Sequence, residues 1–208
     1  VYLDTDPPTV SNFILGNFNG ISSGYGIAAI TGKKAFYYQY MTGINGAWSS
    51  PLNSITLSSW VHVLVTYDST NPTTNEPKFY INGVLQALTV VQSPTGTVEE
   101  ETGTNFVVGN TNSSLFPYTL PFDGKIFDAR VYNRILTAAE VTTLYNAGVP
   151  DTSLVTDGLV FQGPAVYADK GTAANLAGTV LTSSDRLIEN IIRAVGIPNG
   201  SPTIRANP

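Results

Sequence analysis

The chain has 208 residues, 42% of them hydrophobic, with no cysteine, a single histidine and a net charge of −5. That length suits one sizeable domain, or one domain with an extension. The missing cysteines exclude a disulfide framework and thiol chemistry, and ten scattered Lys and Arg under a net negative charge argue against a nucleic-acid surface. No run approaches the ~18 consecutive apolar residues of a membrane span. Charged residues make up only 12%, about half the average share of roughly 25%. Thr, Ser, Asn, Gly and Tyr replace them, a composition typical of loop-rich, extracellular all-β proteins.

In chain order, short apolar runs at 13–15, 25–30 and 35–41 alternate with glycine turns and predict strands of a sandwich. Asn45-Gly46 marks a hairpin. The central stretch is residues 60–86, WVHVLVTYDSTNPTTNEPKFYINGVLQ. Val61, Val63, Val65 and Tyr67 alternate with Trp60, Leu64 and Thr66, so residues 60–68 read as a strand apolar on both faces and covered above and below. After a loop with two prolines, KFYINGVLQ folds back around Asn82-Gly83, a dipeptide that accepts positive φ at both turn positions. Strands at 88–92 and 106–108 follow, separated by the charge run 99–101. Thr137 and Glu140 form a capping box that starts a short helix. Val141, Leu144 and Tyr145 give that helix an apolar face, with Gly148 and Pro150 to end it.

The order Trp-x-His-Val, apolar strand, Thr-Tyr-Asp, loop, Phe-Tyr-Ile-Asn-Gly-Val resembles the laminin-G-like, concanavalin A-like jelly roll. A second match follows in NFVVGN at 105–110 and FDGKIFDARVYNRILTAAEVTTLYNAG at 122–148. The resemblance implies an antiparallel β-sandwich over residues 1–149. VYLDTD is similar to the family's second strand, so an opening strand is expected to be missing and the chain to be a processed or partial product. Residues 150–208 form a C-terminal extension. Within it, DGLVFQGPAVYADKG resembles the family's opening strand, and residues 157–163 are expected to fill the vacant edge beside the closing strand 125–132, from their own chain or a neighbour's. An amphipathic helix is predicted at 184–195, with Leu187, Ile188, Ile191, Ile192 and Val195 as an assembly face. Residues 197–208 read as an extended arm.

Jelly-roll glycanases carry a Glu-x-Asp-x-Glu strand that sets two carboxylates about 5 Å apart, and no such triplet occurs here. Glu99 and Glu101 share the right parity but lack flanking apolar residues. His62, which falls on the family's strand histidine, is expected to be structural. One histidine and no cysteine make a multi-His zinc site impossible. The family's usual metal is calcium, for which Asp4, Asp6, Asp68 and Asp123 are candidates, with Asp128 an alternative. Sugar-binding modules of this kind use aromatic faces beside amides on loops. Trp48 next to Asn45, and Tyr118 and Asn112 in the 110–121 loop, are the candidates, while Trp60 is assigned to the core. Asn112 and Asn199 also fit the N-glycosylation pattern.

Two functions are therefore expected. The first is a non-enzymatic structural or adhesive module of a virion or surface assembly, such as a phage decoration or tail-fibre protein. Its partners would be other subunits, including copies of itself. The alternative is a carbohydrate-binding module of a larger extracellular enzyme or adhesin.

Overall fold

The computed structural model describes residues 1–7, 12–18, 23–99, 106–110, 120–147, 155–163 and 166–168. One layer is a six-stranded antiparallel sheet in the order β10-β2-β3-β4-β5-β9. Its strands are β2 (Asn12–Phe18), β3 (Gly24–Ile30), β4 (Lys34–Gln39), β5 (Gly46–Ser49), β9 (Thr89–Gln92) and β10 (Phe106–Val108). Period-two alternation governs it, as β4 shows: Ala35, Tyr37 and Gln39 are buried while Lys34, Phe36 and Tyr38 are half-buried. Phe36 and Tyr38 stack on the outer face with ring centroids 6.3 Å apart.

The facing layer is assembled from shorter pieces. β6 (Val63–Thr66), β7 (Lys78–Ile81) and β8 (Val84–Leu85) form one sheet, joined between β7 and β8 by the Asn82-Gly83 turn. Both turn residues take positive φ, 50° and 75°, as the sequence predicts. β11 (Gly124–Ile126) and β12 (Ala129–Tyr132) are two halves of one strand, broken where Asp128 adopts φ 54°. β13 (Leu159–Gly163) and β14 (Val166–Ala168) run antiparallel along both halves. Gly124 pairs with Ala168, Ile126 with Val166, Ala129 with Gly163 and Val131 with Phe161, so one register holds across the break. Residues 157–163, expected beside the closing strand, do supply its neighbour, and from the same chain.

β1 (Tyr2–Leu3) pairs with β11 on one side and bridges residues 57–61 on the other. Val61 and Val1 exchange both main-chain hydrogen bonds, at 2.7 and 2.8 Å. The layers together make the antiparallel β-sandwich that the strand pattern implies. Its core holds Leu3, Ile14, Trp48, Phe79, Val108 and Phe122. β13 adds Phe161, whose ring lies 4.9 Å from that of Phe106 and ties this strand to the far sheet.

The helix α1 (Ala138–Ala147) starts at the predicted capping box. Glu140 accepts the Thr137 main-chain N–H at 2.8 Å, and Thr137 Oγ1 accepts the Glu140 N–H at 3.3 Å. Val141 and Leu144 bury against Leu64, Tyr80 and Tyr132, forming a second, smaller core on the outer side of the short-stranded layer. Tyr145, expected on that apolar face, is exposed. Gly148, Pro150, the helix 184–195 and the arm 197–208 lie outside the described residues.

Candidate functional site

β6 is shorter than the nine-residue strand expected, and it is the terminal strand of its sheet rather than a covered central one. Val63, Leu64 and Val65 are only half-buried in consequence. Beside β6 opens a cleft of about 910 Å³. Its floor is the inner face of β2, β3 and β4, with Ile14, Ile27 and Tyr37, and its walls are β6 and β12. Leu144 and Tyr145 of α1 line its outer side. Tyr37 donates to Gln39 Oε1 at 2.8 Å, and Gln39 Nε2 donates to the Gly24 carbonyl at 3.1 Å, so the polar groups of the floor are satisfied locally. Burial, and then the neighbouring Tyr25 and Tyr67 hydroxyls, push the Tyr37 hydroxyl far above its ordinary range. It is a neutral donor at every working pH.

At one end of the cleft the outer face carries an aromatic patch. Trp60 is 48% exposed. Tyr2 and Phe127 hold it edge-on, at centroid distances of 5.7 and 6.4 Å. The Lys125 ammonium sits 4.4 Å over the Tyr2 ring. Asp128 Oδ1 in the neighbouring strand break accepts from Arg130 Nε and Gln162 Nε2, both at 3.0 Å. The outer face thus carries a fixed aromatic surface and, in the neighbouring strand break, planar groups that hydrogen-bond one another.

This corrects the sequence assignment of the two tryptophans. Trp48, expected as a ligand platform, is 1% exposed. Its ring packs at 5.9 Å from Tyr37 and 5.4 Å from Tyr67, leaving no face for a sugar. Gly46 makes the room, because a Cβ there would lie 2.1 Å from the Trp48 ring. Asn45 is also structural: its Oδ1 accepts the Met41 N–H and its Nδ2 donates to the Tyr38 hydroxyl. Asn45-Gly46 is not a two-residue turn either, since Gly46 already pairs with Gln39 in the sheet. Trp60, assigned to the core, is the exposed one. One signal pointed that way: Trp60 has opposite parity to Val61, Val63 and Val65, which face inward. Tyr118 and Asn112 lie outside the described residues, as does Glu101.

The carboxylates considered for calcium are dispersed. Asp123 is buried and accepts the Thr5 hydroxyl. Asp6 accepts the Lys33 N–H at 3.0 Å. Asp68 caps its own turn through the Thr70 N–H and hydroxyl, which hold its carboxyl below the usual range. Asp4 is exposed, and only its main-chain N–H, donating to the Asp123 carbonyl, brings it near Asp123. Among the described residues no three acidic or histidine side chains come together as a metal site, so the calcium assignment does not fit them. His62 lies just before β6, its N–H donating to Asn82 Oδ1 at 2.9 Å and its ring 6.0 Å from Tyr145.

Two antiparallel layers with one short clip helix define a β-sandwich of the lectin-like class. Residues 1–142 match the family described as the concanavalin A-like lectin/glucanases superfamily, and the chain belongs to it. No curated protein and no solved structure matches the chain. No helix among the described residues is long and apolar enough to cross a membrane.

Proposed function

We propose that this chain is a non-catalytic binding module that holds a saccharide on the outer-face patch around Trp60, as part of an extracellular adhesive assembly. The observation that carries the reading is the exposed Trp60 ring, fixed by two perpendicular aromatic neighbours. A rigid, half-exposed indole gives a pyranose a flat apolar surface at little entropic cost. Membership of a lectin superfamily supports the ligand class. A non-catalytic role is supported by the carboxylates along the cleft. A glycosidase needs two working carboxylates; of the three that line the cleft, Asp68 is turned onto Thr70 and Asp128 onto Arg130 and Gln162, which leaves Glu99 without a partner carboxylate.

A glycan array followed by titration tests this. Saturable binding that Trp60→Ala abolishes, with the melting temperature little changed, is the expected result. Absence of any glycan ligand, or binding indifferent to Trp60→Ala, would contradict it.

A second reading, a structural subunit of a virion or surface lattice, is favoured by a different observation. Residues 84–98 contain no charged side chain. Within them Val84, Leu85, Val90 and Val91 are exposed on β8 and β9, the outermost strands of their sheets. Edge strands normally carry a charge or proline that blocks association, and these two carry neither. Concentration-dependent assembly in sedimentation, removed by Val91→Lys, supports the lattice reading. A monomer at all concentrations opposes it.

A further inference from the structure

A cation stands in register with the Trp60 platform. Tyr2 pairs with Lys125 on one side and bridges Trp60 on the other, so the three residues form one row across three strands. Residues paired in this way share a face of the sheet. Alternation fixes which face it is, because Val61, Leu3 and Ile126, each one position along, are buried in the core. Trp60, Tyr2 and Lys125 therefore point outward together. Neighbouring strands lie about 4.8 Å apart, which sets the main chain of Lys125 about 10 Å from that of Trp60. The Lys125 ammonium rests 4.4 Å over the Tyr2 ring, so its charge leans along the row towards Trp60. A ring face steadies an ammonium without using up its three N–H donors. No ion pair among the described residues involves Lys125. Of the carboxylates nearby, Asp123 accepts the Thr5 hydroxyl, and Asp128 accepts from Arg130 and Gln162. Asp4 is exposed, two residues along from Tyr2. Because β1 and β11 run antiparallel, Asp4 and Phe127 fall on opposite sides of the row, and Phe127 is the one beside Trp60. An anion can thus approach Lys125 on the Phe127 side, away from Asp4.

From this row we infer that the saccharide held on the Trp60 patch is an anionic one, carrying a carboxylate or a sulfate that Lys125 binds. The inference rests on the saccharide reading of that patch and adds the charge of the ligand to it. One pyranose ring lies on the indole, and the acidic group of the same or the next sugar reaches the ammonium across the Tyr2 ring. The two contacts do different things. The indole offers apolar area to any pyranose, whereas a hydrogen bond from the ammonium to an anion is roughly twice as strong as one between neutral groups. Lysine is a compact point charge without the fixed fork of arginine, so it selects for negative charge and not between a carboxylate and a sulfate. The chain as a whole carries −5 and repels polyanions at long range. The preference is therefore local and depends on this one ammonium.

The test uses the full chain and matched tetrasaccharides of glucose, galactose and mannose. Each is offered in neutral form, with C6 oxidised to the carboxylate, and with O6 sulfated. Affinities are measured by calorimetry for the unaltered chain, Lys125→Gln, Lys125→Arg and Trp60→Ala. An acidic form is expected to bind about tenfold or more tightly than the neutral form of the same backbone. Whichever acidic set binds more tightly identifies the source of the charge. Lys125→Gln should remove the difference while leaving the affinity for the neutral form and the melting temperature little changed, and Lys125→Arg should keep it. Trp60→Ala should abolish binding of all forms. Equal affinity for neutral and acidic forms, both lost in Trp60→Ala, would overturn the anionic ligand and leave the saccharide reading standing. An acidic preference that Lys125→Gln leaves intact would overturn the role of Lys125. Acidic binding that survives Trp60→Ala, or no binding by any set, would overturn both readings together.

Discussion

The two layers of the sandwich solve the same problem to different degrees. In the six-stranded layer each interior strand has two neighbours, and its inner face buries Ala29, Ala35, Tyr37 and Trp48. The opposite layer is interrupted: β11 and β12 break at Asp128, β6 ends its own sheet, and the cleft separates β6 from β12. The two tryptophans belong one to each layer. Trp48 is enclosed by Tyr37, Tyr67 and the space left by Gly46, whereas Trp60 projects from the interrupted layer with its edges held by Tyr2 and Phe127. A complete sheet turns an aromatic into core, and an incomplete one leaves it available for binding.

The largest expected effect follows from that contrast. Trp48→Ala should destabilise the fold by about 3–5 kcal/mol, because a large buried ring is replaced by a cavity. Trp60→Ala should cost about 1 kcal/mol, the scale of its aromatic contacts. Denaturant midpoints measure both, and comparable losses would erase the distinction between the layers. A smaller effect should come from Tyr37→Phe. It removes the hydroxyl that donates to the buried Gln39 Oε1, and leaving such an acceptor unpaired costs about 1–3 kcal/mol. A neutral Tyr37→Phe would mean that the floor of the cleft admits water.

The smallest effect lies at the helix that clips the interrupted layer. Arg134 first, and then Thr137, hold the Glu140 carboxyl at about 2, below its ordinary 4.5. The folded-state value is depressed, so the contribution is full above about 4.5 and fades as the pH falls from there towards 2. Glu140→Gln should therefore lower the melting temperature slightly at neutral pH and flatten its fall between those limits. Identical acid profiles for the two proteins would show that the capping box contributes nothing measurable.

Much of this was readable from the chain, for identifiable reasons. Asn82-Gly83 and Thr137 with Glu140 are local devices whose geometry follows from two to four residues, and both are present in the structure. The neighbour of the closing strand was readable because residues 157–163 resemble the family's opening strand, and the register then continues to Ala168. The roles of the tryptophans were not, because residues 60–68 are apolar on both faces and alternation alone does not say which face is covered. Asn45 beside Trp48 resembles a loop ligand pair in sequence. Its side chain is instead occupied by the Met41 N–H and the Tyr38 hydroxyl, contacts that exist only once β4 and β5 pair. Calcium was implied by the family resemblance, with Asp4, Asp6, Asp68 and Asp123 as candidates, but short carboxylates at chain reversals also cap their own turns, as Asp68 does with Thr70.

One layer is a continuous six-stranded sheet, and the other is interrupted by the cleft between β6 and β12. Residue-resolved hydrogen exchange on the full chain, at neutral pH and without added ligand, tests this difference most directly. Slow exchange is expected at Ala28 and Tyr37, interior to the six-stranded sheet, and exchange at least about a hundredfold faster at Val63 and Val65. Uniform protection across all four amides would contradict it.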